Sequence, residues 1–174
     1  MRSHAAIVVQ SATGIFGSSP ELRTMSIRIG SGGRVLLSGG ILGFGLGALV
    51  DVLVFHMILQ WHHLLSSVYH PLSLPGLRLN VYYDGLFSLA MMGVMAVGAG
   101  IIWRELNRSS EPFSAIRVLG SLLVGAGLFN VFDGIVDHYV LGLHDVVHGT
   151  QAFNPHWVGA SFLLLGAGIL VLTG

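Results

Sequence analysis

The sequence predicts an all-α membrane protein, a four-helix bundle made of two tandem two-helix repeats. Of the 174 residues, 53% are hydrophobic and only 9% are charged, whereas soluble domains carry roughly 25% charged residues. Four apolar runs have about the 20 residues that a helix needs to cross the hydrocarbon core. A segment of 23 residues is also echoed 82 residues later. Together these observations favour a polytopic membrane fold with internal symmetry.

The predicted helices occupy residues 35–59, 81–103, 115–141 and 156–173. Helices are expected because lipid cannot satisfy the backbone groups of open strands. Residues 1–33 are polar and rich in glycine and serine, so we expect a loosely ordered cytoplasmic tail before a transmembrane domain over 34–174. Met25 is an alternative start to Met1.

The arginines predict the orientation in the membrane. They precede the first helix (Arg2, Arg23, Arg28, Arg34) or lie in the connection between helices two and three (Arg104, Arg108, Arg117), and only Arg78 lies in another loop. The positive-inside rule then places both termini in the cytoplasm and loops 60–80 and 142–155 outside. We therefore expect a multi-pass protein of the inner (cytoplasmic) membrane.

The repeat carries ionisable side chains. Residues 43–65 and 125–147 are identical at eight of 23 positions, and the identities include the pairs Asp51 and Asp133, His56 and His138, and His62 and His144. The starts of the second and fourth helices agree weakly, with Asn80 matching Asn154. Two helices per copy imply the same topology and a pseudo-twofold axis along the membrane normal. Ionisable groups inside a membrane are costly and mark functional sites.

Eight of the nine histidines are predicted to form one layer at the outer face, all except His4. At about 100° per residue, side chains seven or eleven positions apart share a helix face. This spacing predicts that His56 and His63 share one helix face and that Asp51 and His62 share a second face. In the second copy it likewise pairs Asp133 with His144. The i, i+4 pair His144 and His148 has the spacing of two ligands on one helix.

The layer predicts a metal site facing the periplasm or exterior. The candidate ligands are His56, His62, His63, His138, His144, His148, His156, Asp51, Asp84, Asp133 and Asp137. Imidazole with carboxylate suits Cu(II), Zn(II) or non-haem iron. Absence of cysteine and lysine excludes thiolate ligands, disulfides and lysine chemistry. The zero net charge does not indicate nucleic acid. Met91, Met92 and Met95 could contact Cu(I), although core packing is the simpler interpretation.

These motifs resemble the bacterial membrane-protein family DUF2243 from about residue 38 to the C-terminus. The resemblance rests on Gly43–Gly47 with Asp51, His56–His63, Tyr83–Phe87, Asp133–His138, Leu143 with His144, and Asn154 with Pro155. It implies a four-helix membrane protein. The family is sometimes linked with copper-handling proteins of respiratory oxidase assembly, which implies a copper or haem-copper context.

Several functions remain open on the sequence. The first is copper-favoured metal binding, in metal handling or as an accessory or small subunit of a membrane oxidase, with zinc, iron or haem as other cofactors. A metal-dependent membrane enzyme that activates water or oxygen is the second, and no catalytic residue is assigned for it. A haem b electron-transfer subunit would use His56 and His138 as ligands. The last is a metal-free proton relay. Expected partners are membrane lipid and either further copies of the chain or a larger membrane complex.

Overall fold

The computed structural model of the chain describes residues 31–108 and 114–174, and within these ranges it is all-helical without strands. The long helices are α1 (Ser31–Asp51), α2 (Leu74–Arg108), α3 (Ala115–Phe132) and α4 (Asn154–Thr173). A π-helical segment extends α1 over Val52–Ile58 and α3 over Asp133–Val140, and a 3₁₀ turn, Gln151–Phe153, precedes α4. All four are long and apolar enough to span a membrane, so the predicted all-α membrane fold is confirmed.

The observed helix bounds differ most from the predicted ones at α2. This helix begins at Leu74 and ends at Arg108, not at residues 81 and 103, because an apolar run marks only the part of a helix that matches the hydrocarbon. α1 begins at Ser31 and α4 at Asn154, a few residues before their predicted starts. Residues 1–30 of the predicted tail lie outside the described residues.

Helices α1 and α3 form the centre of the bundle through close glycine contacts. A Cβ at Gly43 would overlap the backbone of Leu122, and a Cβ at Gly125 would overlap the backbone carbonyl of Gly40. Just beyond this contact, the rings of Phe44 and Phe129 meet edge to face at 5.4 Å. Small residues let membrane helices approach closely, and here they place the histidine-bearing ends of α1 and α3 side by side.

Helices α2 and α4 pack on the outside of this central pair. Gly98 of α2 packs against the backbone of Leu42, and Gly127 of α3 packs against the backbone of Leu165 in α4. Little of α2 and α4 is buried within the described chain. Their outward surfaces carry large apolar side chains, including Leu89, Val97, Leu163 and Leu170. Such surfaces suit contact with lipid.

The end of the bundle away from the histidines is held by an ion pair. Arg34 Nε of α1 lies 3.0 Å from Glu105 Oε1 of α2, a carboxylate that is buried although its partner is half exposed. The start of α1 and the end of α2 therefore lie together. Which side of the membrane this end faces stays a prediction.

Alanine at Gly43 or Gly125 is expected to lower the free energy of unfolding by about 1–3 kcal/mol, because the new methyl group meets backbone that cannot rotate away. Gly93→Ala and Gly100→Ala in α2 are the matched controls, since nothing lies within 4 Å of a Cβ there. The controls should unfold at the wild-type midpoint or slightly above it, as alanine is the better helix former by about 1 kcal/mol. Denaturant titration in detergent micelles measures the difference. Equal midpoints for Gly43→Ala and Gly93→Ala would contradict the packing.

Candidate metal centre

The π-helical segments bring a carboxylate and an imidazole five residues apart onto the same side. Asp51 precedes one segment and Asp133 begins the other, and His56 and His138 follow five residues later. In an α-helix, residues five apart point about 140° away from each other, but i→i+5 bonding brings them together. His56 Nε2 lies 3.3 Å from Asp51 Oδ2, and His138 Nε2 lies 3.3 Å from Asp133 Oδ2.

The chain then reverses, so the next histidine of each copy returns to the same place. Gln60 and Gly142 adopt left-handed conformations, with φ of 51° and 60°. The backbone hydrogen bonds just before the two turns are also equivalent. Leu59 N–H donates to the Val54 carbonyl oxygen at 2.8 Å, and Leu141 N–H donates to the Val136 carbonyl oxygen at 2.7 Å. His62 and His144 follow two residues after each reversal.

Two triads of buried side chains result. The first triad is Asp51, His56 and His62, and the second triad is Asp133, His138 and His144. In each triad, one donor atom from every residue lies within 4.8 Å of the others. The triads adjoin one another, since the rings of His62 and His144 stack at 4.7 Å with 8° between their planes. All six residues are at most 3% exposed.

The pairings within the triads agree with prediction, but the predicted reason is wrong. Asp51 with His62 and Asp133 with His144 were expected to share α-helical faces. The helices end at Ile58 and Val140, so both histidines reach the triads from loops. For the same reason, His144 and His148 are not an i, i+4 pair on a helix.

Reciprocal hydrogen bonds hold the two central imidazoles. His62 Nδ1–H donates to the carbonyl oxygen of Val146 at 2.8 Å, and His144 Nδ1–H donates to that of Leu64 at 3.2 Å. A carbonyl oxygen only accepts, so Nδ1 carries the proton and Nε2 of the neutral ring carries a lone pair. Burial, and then the neighbouring His144 and His56, lower the pKa of His62 to about 2. Its ring is therefore neutral and able to ligate.

The Nε2 atoms face carboxylates without hydrogen bonding to them. Among the described residues, Nε2 of all four triad histidines has no hydrogen-bond partner, although carboxylate oxygens lie 3.3, 3.9, 3.3 and 3.4 Å away. Charge-assisted N–H···O bonds are about 2.7–2.9 Å long. Two donors on one tetrahedral ion at about 2.0–2.1 Å lie roughly 3.3–3.4 Å apart. Three of the four separations therefore fit ligands that share an ion better than they fit hydrogen bonds.

Asp84 of α2 has a different role. Its Oδ1 accepts a bond of 2.8 Å from His56 Nδ1–H, and its Oδ2 accepts one of 2.7 Å from His63 Nδ1–H. Both oxygens are thus used in ordinary hydrogen bonds, and Asp84 orients His56 so that Nε2 points at Asp51. A carboxylate behind a histidine is typical of metal ligands. The equivalent atom of the second triad, His138 Nδ1, is buried without a partner.

Four further polar side chains of the predicted outer layer lie outside the triads. Asp137 and His148 are half-buried, and His70 and His156 are exposed. Burial, and next His63, lower the pKa of His148. His156 Nδ1–H donates to the Ala152 carbonyl oxygen at 3.2 Å. None of the four joins a group of ligand atoms among the described residues.

The methionines of α2 lie deeper in the bundle than the triads. Met95 contacts α1 at Gly45, a turn and a half of helix before Asp51. From Asp84 to Met95 the helix axis rises by roughly 16 Å. The donor set that the structure brings together is therefore nitrogen and oxygen.

Two buried asparagines that were not among the predicted site residues anchor the loops. Asn80 Oδ1 accepts from Leu65 N–H at 3.1 Å, and Asn154 Oδ1 accepts from Val146 N–H at 3.0 Å. Asn154 also donates to Asp145 Oδ1 at 2.8 Å. Both asparagines are fully buried. Their matching places at the starts of α2 and α4 were the available sequence signal.

A small cavity of about 190 Å³ lies beside the first triad. Its polar lining residues are Asp51, Asn130 and Trp157, and the rest of the wall is apolar, with Gly47 and Ala126 leaving the space. Trp157 Nε1 is buried without a hydrogen-bond partner. The cavity therefore combines an apolar wall with groups that can bond a small ligand.

The chain belongs to the DUF2243 family, described as predicted membrane proteins, whose model matches residues 38–174. No curated protein and no solved structure matches the chain. The family resemblance seen in the sequence is thus confirmed, and the chemistry of the site rests on its own geometry.

Asn80→Ala and Asn154→Ala are each expected to lower the free energy of unfolding by about 1–3 kcal/mol, since each leaves a buried N–H, of Leu65 or Val146, without an acceptor. Asn107→Ala is the control, because Asn107 lies exposed on α2 and bonds only its own helix. Thermal unfolding in detergent compares the three variants. A loss at Asn107 as large as at Asn80 would contradict the anchoring role.

Proposed function

We propose that this protein is a membrane metal-binding protein that holds two ions, one in each triad. The observation that carries the proposal is the set of four buried Nε2 atoms without hydrogen-bond partners, turned toward Asp51 and Asp133. A lone pair that faces an ionised carboxylate is repelled, and a cation between the two removes this repulsion. Buried ionised carboxylates are stable only when they are paired or coordinate a metal. Two imidazoles and one carboxylate are a common ligand set for catalytic and transport metals.

Copper remains the favoured ion, with zinc and non-haem iron as the other candidates. Imidazole and carboxylate donors suit Cu(II), Zn(II) and iron, and the family resemblance favours copper. Bare ions fit the geometry better than haem. The rings follow one another in the order His56, His62, His144 and His138 at 4.5, 4.7 and 4.7 Å. This row of rings occupies the space that a porphyrin between His56 and His138 needs.

The proposed role is metal handling, or service as an accessory or small subunit of a membrane oxidase. The site lies at the end of the bundle that the arginine pattern places outside the inner membrane. The triad side chains are almost completely shielded, which suits retention of an ion more than free exchange with solvent. The broad apolar surfaces of α2 and α4 suit packing against lipid, further copies of the chain or a larger complex.

A second candidate, a metal-dependent membrane enzyme, is favoured by the cavity beside Asp51. An ion in the first triad has three protein ligands and an open position, as catalytic sites have. Asn130 and Trp157 on the cavity wall could orient a small substrate there. Substrate-dependent turnover by the metal-loaded protein that is lost in Asn130→Leu, with metal content unchanged, distinguishes the enzyme from the carrier.

Metal content is the first test. Protein purified in detergent and loaded with Cu²⁺ or Zn²⁺ is expected to hold two ions per chain by elemental analysis. His62→Ala and His144→Ala should each reduce the content to about one, because each removes one of the three protein ligands of a single triad. His156→Ala is the control, since His156 is exposed and outside both triads.

Wild-type protein that contains no metal and binds none when metal is added would count against the proposal. That result would instead favour a metal-free proton relay. A Soret band in the purified protein would instead favour a haem subunit. A content of one ion, lost equally in both variants, would indicate a single shared position.

Asp84→Asn is expected to weaken the first-triad ion by about 10–100-fold, as loss of a carboxylate behind a histidine ligand typically does. Asparagine has one acceptor oxygen where aspartate has two, so either His56 or His63 loses the acceptor that orients its ring. Asp137→Asn is the matched control, because Asp137 is a half-buried carboxylate outside the triads. Isothermal titration with Zn²⁺ measures both. An equal loss for Asp137→Asn would show a general charge effect.

A further inference from the structure

The triads are closed, so a bound ion must enter and leave by a route through the loops. The side chains of both triads are at most 3% exposed. The loops above them are joined by two backbone bonds, of 2.8 Å from His148 N–H to the Trp61 carbonyl oxygen and 2.9 Å from Ser67 N–H to that of Leu143. An entry route should therefore lie between these joined loops and should offer ligands along its length.

One cavity on the outer side has these properties. It measures about 440 Å³ and lies between the two loops, with polar lining from Ser66, Ser67, His70, Asp145 and His148. His70 is exposed, whereas His148 and Asp145 are half-buried, so the lining runs from solvent inward. Two imidazoles and a carboxylate repeat the donor types of the buried triads at a place that water reaches.

His63 joins this cavity to the first triad. Its ring lies 5.8 Å from that of His148 on one side and 6.1 Å from that of His56 on the other. Its Nδ1–H is held by Asp84, which leaves Nε2 free to bind an ion in passing. In the second copy, the residue 82 positions after His63 is Asp145, so no imidazole stands at the equivalent position. The ligand path therefore leads to the first triad.

We propose that the outer cavity is a loading vestibule, in which His70, His148 and Asp145 capture a metal ion from the aqueous side and His63 passes it to the first triad. The vestibule rests on the proposed metal-binding function, since without a buried ion there is nothing to load. It acts on the rate of loading and release, while the triads set the affinity.

Rapid mixing with Cu²⁺ tests the vestibule. A Trp61→Phe/Trp103→Phe background leaves Trp157 as the one tryptophan of the sequence. Trp157 lies 6.3 and 6.2 Å from the rings of His62 and His138, so quenching of its fluorescence by Cu²⁺ reports arrival at the triads. The double variant His70→Ala/His148→Ala is expected to load about tenfold or more slowly. Release to a chelator should slow by a similar factor, and the equilibrium Kd and the stoichiometry should change by less than about twofold. His156→Ala is the control and should load at the wild-type rate.

The outcomes separate the two proposals. Wild-type loading in the double variant, with equilibrium binding intact, overturns the vestibule and leaves the metal site standing. Loss of equilibrium binding in the double variant also overturns it, because the cavity residues would then be part of the binding site. No quenching and no bound copper in wild type overturn the metal site and the vestibule together. His148→Gln keeps the polar volume of the loop and must load slowly as well, which guards against misfolding.

Discussion

The histidine-bearing half of this protein depends on one electrostatic constraint. Imidazole lone pairs approach carboxylates inside a bundle of apolar helices. Asp51 and Asp133 are buried at the ends of apolar helices, where an uncompensated charge is strongly unfavourable. The partners that face them are Nε2 atoms, and in three of the four histidines the Nδ1–H is directed to another acceptor. A cation between these groups would convert the repulsion into coordination, as the proposed metal site requires.

The rest of the bundle serves to hold those groups in place. Close glycine contacts between α1 and α3 set the two π-helical segments beside one another. The outer helices then support the rings from behind, through Asp84 and Asn80 of α2 and Asn154 of α4. The division is clear in the distances, because Asp84 makes bonds of 2.7 and 2.8 Å whereas Asp51 lies 3.3 Å from His56. The same residue type thus orients an imidazole through hydrogen bonds in one place and faces one at a longer distance in another.

The two halves are similar in their triads and different around them. His56 is held by Asp84, but His138 Nδ1 has no partner, and Trp157 packs near it instead. The cavity beside Asp51 adjoins the first triad. The ring of His63 lies between His56 of that triad and His148 of the outer cavity. The two triads therefore differ in how their histidines are held and in what lies beside them.

The sequence by itself determined the fold class and the four spans, and it showed three repeated pairs of Asp and His among eleven candidate ligands, because apolar length and repeated ionisable residues are local features that need no coordinates. It also favoured nitrogen and oxygen ligands, since cysteine is absent. Only the tertiary structure decided how the six residues meet. The spacing prediction holds only if α-helical geometry continues past Ile58 and Val140. Instead, π-helical bonding precedes these residues, and the left-handed Gln60 and Gly142 then turn the chain back over the helix ends. The supporting role of Asp84, and the place of Asp137, His148 and His156 outside the triads, follow from packing between distant segments, which one-dimensional periodicity does not contain.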